Sequence, residues 1–417
     1  MPDSRTTWMK VVPKEWRVTT IGSLYTLRNE KVSDKDYPPL SVTMKGIVPQ
    51  LESAAKTEDG DNRKLVRIGD FAINSRSDRR GSCGISAYDG SVSLINTVLI
   101  PREKMHPGYY NWLFHSSAFS DEFYKWGHGI VDDLWTTRWQ EMKRIVVPVP
   151  SMPEQEAIAT FLDERCSLID NAIAEAKAGI DEYKTWKASV IFQAVTEGID
   201  TSIEFCESGI GWIDKIPAHW KVCRIKDCAT FAPACNINHL KKESIVTFSP
   251  MECIKNGFYI PRDAVFGDIA SSYTMFQEGD IVFAKVTPCF ENGNIAIMEG
   301  LNNGFGYGSS ELFVLRANTV ERRFLFYFLQ NEKFKQMGCS TMTGTGGLKR
   351  VSGNFVKNCY ILLPPVEEQV QIADYLDRMC ETMQTIVEEK QALVNRLESY
   401  KRSLIFEVVT GKRKVVQ

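Results

Sequence analysis

The residues best suited to chemistry fall in a few short polar loops. Ser75-Arg76-Ser77-Asp78-Arg79-Arg80-Gly81-Ser82 lies between two strand-like runs. Its guanidinium groups at Arg76, Arg79 and Arg80 and the Ser77 hydroxyl suit phosphate contact and forked hydrogen bonding to a guanine edge. An ordinary solvated basic turn has the same composition. Ala284-Lys285-Val286-Thr287-Pro288-Cys289-Phe290-Glu291-Asn292 occupies the corresponding place in the second half. Lys285 and Thr287 are candidates there with Glu291 and Asn292, whose carboxylate and amide suit cytosine and adenine edges; a satisfied turn is the alternative. Thr343-Gly-Thr-Gly-Gly-Leu-Lys349-Arg350 is Gly-rich and basic, with backbone N–H groups able to face phosphate. It lacks the G-x-x-x-x-G-K-[ST] pattern, which argues against nucleotide hydrolysis. In the corresponding part of the first half stand Trp126, His128, Trp135, Arg138 and Trp139. His128 and Arg138 join the candidates, while the tryptophans read as core before they read as stacking platforms.

Catalytic constellations are missing from the pattern. The five histidines form no H-x-E, and no G-x-S-x-G occurs. Glu388-Glu-Lys390 and Glu182-Tyr-Lys184 fall on helical runs, away from any strand that could bring a metal-binding carboxylate beside them. Leu363-Pro-Pro-Val366 lacks the preceding Asn or Asp and the following aromatic of an amino-methyltransferase site. The expectation is a chain with no catalytic residues and no metal. Eleven cysteines without paired spacing, Cys223, Cys228 and Cys235 included, read as reduced thiols. With a polar start to the chain and no apolar run of membrane-spanning length, they suggest a cytoplasmic protein.

A formal charge of −2 looks wrong for a partner of phosphate, but the charge is unevenly spread. Residues 1–148 carry roughly +3 and residues 215–365 roughly +5, whereas 149–198 carry roughly −5 and 366–408 roughly −4. Two basic bodies alternate with two acidic segments.

That alternation is an internal repeat. Trp8, Pro13, Trp16, Val18 and Ile21 match Trp212, Pro217, Trp220, Val222 and Ile225 at one offset. Glu154-Gln155-x-x-Ile158-Ala159-x-Phe161-Leu162-Asp163 matches Glu368-Gln369-x-x-Ile372-Ala373-x-Tyr375-Leu376-Asp377, and the match runs ungapped to Thr196 and Thr410. Roughly 15 of about 43 positions are identical. Both stretches read as helices: prolines precede them and acidic residues crowd the first turn. In the second, Leu376, Met379, Met383, Ile386, Lys390, Leu393, Leu397, Tyr400 and Leu404 step by three and four, a heptad seam. The same register in the first gives Leu162, Arg165, Ile169, Ala172, Ala176, Gly179, Tyr183, Trp186 and Val190, smaller in its middle. A small seam closes on a large one, so the helices are expected to pair, each ~65 Å long. Paired antiparallel, they relate the two bodies by a pseudo-two-fold axis, which a DNA duplex shares.

The bodies themselves show strand-like runs at residues 66–74, 91–100, 143–149, 280–285, 311–316 and 358–363. A short amphipathic helix is expected near 109–125 and near 322–335. The fold class is therefore α+β. The predicted layout is a first mixed α/β body (1–150), a long helix (151–198), a connector (199–214), a second body (215–364), and a second long helix with a tail (365–417). The two helices form an antiparallel coiled coil.

Three features together carry a resemblance: Ser208-Gly-Ile-Gly-Trp-Ile-Asp-Lys-Ile-Pro-Ala-His-Trp220, the repeated Glu-Gln helices, and the Gly69-Asp70 and Gly279-Asp280 loops. The chain resembles the specificity subunit of type I restriction–modification systems over nearly its whole length. That resemblance implies two target recognition domains, each reading half of a bipartite double-stranded DNA site, with the coiled coil fixing the spacer. It implies two methyltransferase subunits docked on the acidic helices and restriction subunits in the full complex. S-adenosylmethionine, ATP and Mg would belong to those partners, and no cofactor to this chain. Base-contacting residues do not carry over from such a resemblance, so the loop residues stand on their own chemistry. The competing classes are a single-chain DNA-modifying enzyme with an unrecognised site and a scaffold that binds no DNA.

Overall fold

The computed structural model describes residues 8–50, 60–76, 79–129, 135–200, 202–269, 272–344 and 348–415. The chain divides into two compact units, Met1–Lys177 with Gln391–Gln417, and Ala178–Lys390. Two helices, Met152–Glu197 and Val366–Val409, run through the boundary, so each unit holds half of both.

The units share a plan that their sequences barely show. In the first, strands Tyr25–Leu27, Asn96–Pro101, Phe71–Asn74 and Cys83–Ile85 form a sheet in that spatial order. In the second, Ala229–Phe231, Leu312–Ala317, Ile281–Ala284 and Ile295–Ile297 do the same. A two-stranded antiparallel pair closes each body, Arg17–Thr20 with Val146–Val149 and Lys221–Arg224 with Tyr360–Leu363. The second unit adds a hairpin, Phe205–Ile210 with Ile213–Pro217.

Several expected elements are subdivided. Residues 66–74 are not one strand: Arg63–Val66 ends and Phe71–Asn74 begins around Gly69, whose φ of +87° suits glycine. The turn is built for Asp70, a buried carboxylate that accepts from the Arg67 amide at 2.8 Å and from Arg28 at 2.7 and 3.0 Å. Gly279 (φ +84°) and buried Asp280 repeat it, with Gln277 N donating at 2.8 Å. The answering arginine there is Arg316, from a different strand, at 2.7 and 2.8 Å. Residues 91–100 likewise split into Gly90–Val92 and Asn96–Pro101. Each expected amphipathic helix is two: Pro107–His115 and Ser117–Lys125 in one unit, Arg322–Gln330 and Glu332–Ser340 in the other. The break falls at Ser116 and Asn331, whose side chains accept from Phe119 N and Phe334 N as N-caps.

The repeated Glu-Gln motif anchors body to helix. Trp16 Nε1 donates to Glu154 Oε1 at 3.0 Å and Trp220 Nε1 to Glu368 Oε1 at 3.1 Å. Buried Gln155 accepts from His106 N and donates to Pro150 O, both at 2.9 Å. Gln369 accepts from Glu321 N at 2.7 Å and donates to Pro364 O at 2.8 Å. Asp163 takes the Trp112 indole and Asp377 takes Tyr327 and Arg323. Ile158, Ala159 and Leu162, with Ile372, Ala373 and Leu376, are buried against the bodies. Burial opposes ionisation of Glu154, yet hydrogen bonds from Ser151 and Trp16 outweigh it and hold the carboxyl below its ordinary value.

Within each unit the helix halves run antiparallel. In the first, Lys401 meets Asp170 at 2.6 Å and Lys177 meets Glu398 at 3.0 Å. In the second, Lys390 lies over the Tyr183 ring while Tyr183 and Lys187 face Met383 and Val387. The seam differs from expectation by one residue at every second position. Leu162, Ile169, Ala176, Leu376, Met383 and Leu404 are buried as expected, but Arg165 and Trp186, and Leu393 and Tyr400, are exposed. Cys166, Ile173 and Ile180 replace them in one helix and Val394 does so in the other, with half-buried Cys380, Val387 and Lys401. The seam of the first helix is therefore larger than expected: Ile173 and Ile180 take the places of half-buried Ala172 and Gly179, and Ala176 stays in it. A 4-3 and a 3-4 heptad share every seventh residue, so periodicity alone left the phase open.

The phase is testable. Val394→Ala empties a buried seam position and should cost about 2 kcal/mol. Leu393→Ala, on the exposed side, should stay within about 0.5 kcal/mol. Urea unfolding of both variants checks the pair, and equal losses would restore the other register.

Candidate nucleic-acid interface

In both units the candidate loops are tied together by main-chain hydrogen bonds. Thr136 pairs with His128 through two bonds of 3.0 Å and bridges on its other side to Arg76, and Thr137 N donates to Ser75 O at 3.0 Å. In the second unit Arg350 pairs with Thr343 at 2.9 and 3.1 Å and bridges on its other side to Val286. Val351 N then donates to Lys285 O at 2.8 Å, and Thr287 N to Lys349 O at 3.0 Å. A three-segment ladder, Arg76–Thr136–His128 and Val286–Arg350–Thr343, thus forms at equivalent places. It brings the loop after Phe71–Asn74 or Ile281–Ala284 beside the segment that follows the short helix Ser117–Lys125 or Glu332–Ser340. Sequence separation hid this contact, since no periodicity links residues 60 positions apart.

Several of the candidate side chains are exposed. Arg76, Arg79, His128 and Arg138 are exposed on the first unit, and Ser77 lies outside the described residues. Arg80 is occupied: it donates to Asp121 at 2.9 Å and lies 4.8 Å over the Tyr124 ring. Surface ion pairs of this kind hold weakly, so Arg80 is positioned rather than locked. Tyr124 in turn donates its hydroxyl to Arg76 O at 3.1 Å, fixing the loop's entry. His128 Nε2 stands 4.0 Å from Glu141. Trp135 and Trp126 spend their indole N–H groups on Tyr124 O and Glu122, and both pack, partly buried, with Trp139 against the core.

On the second unit Lys349, Glu291 and Asn292 are exposed. Lys285 and Arg350 converge on Glu311, which the spacing of the sequence did not single out. Arg350 grips it with two bonds of 3.0 and 2.8 Å and Lys285 Nζ lies at 3.8 Å. The Arg350 bonds pull the Glu311 carboxyl below its ordinary value against partial burial. Thr287 Oγ1 accepts from Lys349 N at 3.0 Å and serves the turn. Among the described residues no group of three or more His, Cys, Asp or Glu side chains is placed to hold a metal. No described helix is long and apolar enough to cross a membrane.

Residues 217–396 match the family of the type I restriction modification DNA specificity domain. All of that stretch but its last six residues lies in the second unit. The matched stretch begins at Pro217, near Trp220, and includes the Glu368-Gln369 anchor and the Val286–Arg350–Thr343 ladder. A stretch of 196 residues is 35% identical to the type I restriction enzyme EcoEI specificity subunit of Escherichia coli, covering 44% of this chain and 32% of that protein. The chain thus spans about a third of that relative's length. Similarity to the MjaVIII specificity subunit of Methanocaldococcus jannaschii is lower, 24%, but extends over 97% of this chain and 94% of that one. A chain from a solved structure of the type I R-M system superposes with a TM-score of 0.74 at 14% identity, over 97% of this chain and all of its own length. The fold of the whole chain is therefore that of its structural neighbour, with each unit built as described.

Glu311 offers a pH test of the second ladder. Its folded pKa is depressed, so the stability it contributes is full above the unfolded value of about 4.3 and is lost as pH falls through the folded value. Wild-type protein should lose this component below about pH 4.3, and Glu311→Gln should lack it. Parallel acid-unfolding curves for the two proteins would remove the ion pair from the account.

Proposed function

We propose that the chain is the sequence-reading, non-catalytic subunit of a type I restriction–modification complex. Each unit reads one half of a bipartite duplex site with the loops pinned by its ladder, and the paired helices fix the unread spacer. The observation that carries this reading is the recurrence of one main-chain ladder in both units with different side chains mounted on it: Arg76, Arg79, His128 and Arg138 in one, Lys349, Glu291 and Asn292 in the other. Two readers of one design and different chemistry suit an asymmetric two-part site. The names of the similar proteins support it. Two methyltransferase subunits would dock on the acidic helices and act on adenine, and restriction subunits would cut. S-adenosylmethionine, ATP and Mg would be bound by those partners, in the cytoplasm.

The deciding experiment is an adenine-methylation map of DNA from cells with and without the gene, the methyltransferase partner being expressed in both. A bipartite motif present only with the gene is expected; identical maps would sink the proposal. Within that motif, Arg76→Ala or Arg79→Ala should relax one half, and Glu291→Ala or Asn292→Ala the other, by about tenfold or more per lost bidentate base contact. Lys349→Ala should instead weaken binding to all duplexes alike and lower the salt slope by about one. Loss of both halves from a single loop variant would show the loops misassigned.

A further inference from the structure

The two halves of the helix pair differ in how they treat one seam lysine. In the first unit the seam lysine Lys401 is matched by Asp170 at 2.6 and 2.7 Å. The repeat sets Lys187 and Gln384 in the places of Lys401 and Asp170, so the second unit keeps the lysine and has an amide for the carboxylate. Lys187 forms no ion pair among the described residues. It lines a cavity of about 340 Å³ with Lys184, Lys335, Gln330, Gln384 and Asn256, against an apolar floor that includes Ile191 and Met383. One carboxylate, Glu332, joins the lining and holds Lys335 at 2.5 Å, while Lys184 reaches out to Asp181 at 3.2 Å. With Lys335 held by Glu332, Lys184 by Asp181 and the Gln384 amide donating to Glu388 at 2.7 Å, Lys187 is the lining lysine left without an ion pair. A half-buried ammonium beside further amide donors suits an oxygen-rich anion better than an apolar guest. The site also adjoins the candidate recognition loop, since Asn256 Nδ2 donates to Asn292 O at 3.5 Å and Gly293 lines the cavity.

We infer that this cavity of the second unit is a phosphate seat, with Lys187 as its central cation. The phosphate is either free or part of a DNA backbone flanking the half-site. The DNA source rests on the function proposed above; the free source does not.

Two variants test it on the full chain. Lys187→Gln removes the central cation. Gln384→Asp removes no lysine and recreates the pair seen at Asp170 and Lys401, so it should fold at least as stably as wild type while filling the seat. If free phosphate is the ligand, inorganic pyrophosphate at saturation raises the wild-type Tm by about 2–4 °C and leaves both variants unmoved. If the ligand is a DNA phosphodiester, pyrophosphate has no effect and each variant lowers the slope of log affinity against log salt by about one. A wild-type protein indifferent to pyrophosphate, with salt slopes unchanged in both variants, overturns the seat. Failure of the wild type to bind any duplex would overturn the function proposed above, and the pyrophosphate measurement would still decide the cavity.

Discussion

The structure depends on how each helix start is fastened to its body. A helix of more than forty residues presents a long surface and no intrinsic reason to stop a globular body at any one point along it. Glu154 and Glu368 supply that reason by accepting an indole N–H, and Gln155 and Gln369 by satisfying one orphan amide and one proline carbonyl. An unmade bond at buried Gln155 or Gln369 costs about 1–3 kcal/mol per group, which is enough to select one docking register over its neighbours. The repeated Ile-Ala-x-Phe/Tyr-Leu face then adds burial that only this register can use. Everything carried by the bodies inherits its place from these few contacts.

Much of this was legible in the sequence. The repeat showed two bodies and two helices, because the anchoring residues must be the same in both units and identity at fixed offset is easily read. The bodies' strands were legible as runs, but not their breaks, because buried Asp70 and Asp280 each need a local turn that propensity does not weigh. The heptad phase was not legible, because Leu393 and Val394 are both apolar and only the facing helix chooses between them. At the candidate interface the exposed cations were found by composition. Their restraint by Asp121, Tyr124 and Glu311 was not, since those partners lie far off in sequence and carry no motif.

The paired arginines at the Gly-Asp turns show how the two units keep one architecture by different means. Arg28, just after Tyr25–Leu27, and Arg316, within Leu312–Ala317, start from non-equivalent places in their sheets and reach equivalent carboxylates with the same forked geometry. A buried carboxylate requires a counter-charge but not a particular address for it. Comparison by aligned positions misses such a substitution, which is one reason the middles of the two bodies look unrelated while their sheets have one strand order.

The ladders have a consequence for change over generations. Their bonds run from main chain to main chain, so the scaffold asks almost nothing of the side chains mounted on it. A mutation at Arg76, Lys349 or Asn292 alters what the surface offers without spending the stability that holds the loop in place. The two units are also separately braced, each by its own ladder and its own helix anchor. One can drift while the other keeps its own surface intact. Variation is thereby channelled to the outward-facing residues, and the fastening beneath them persists.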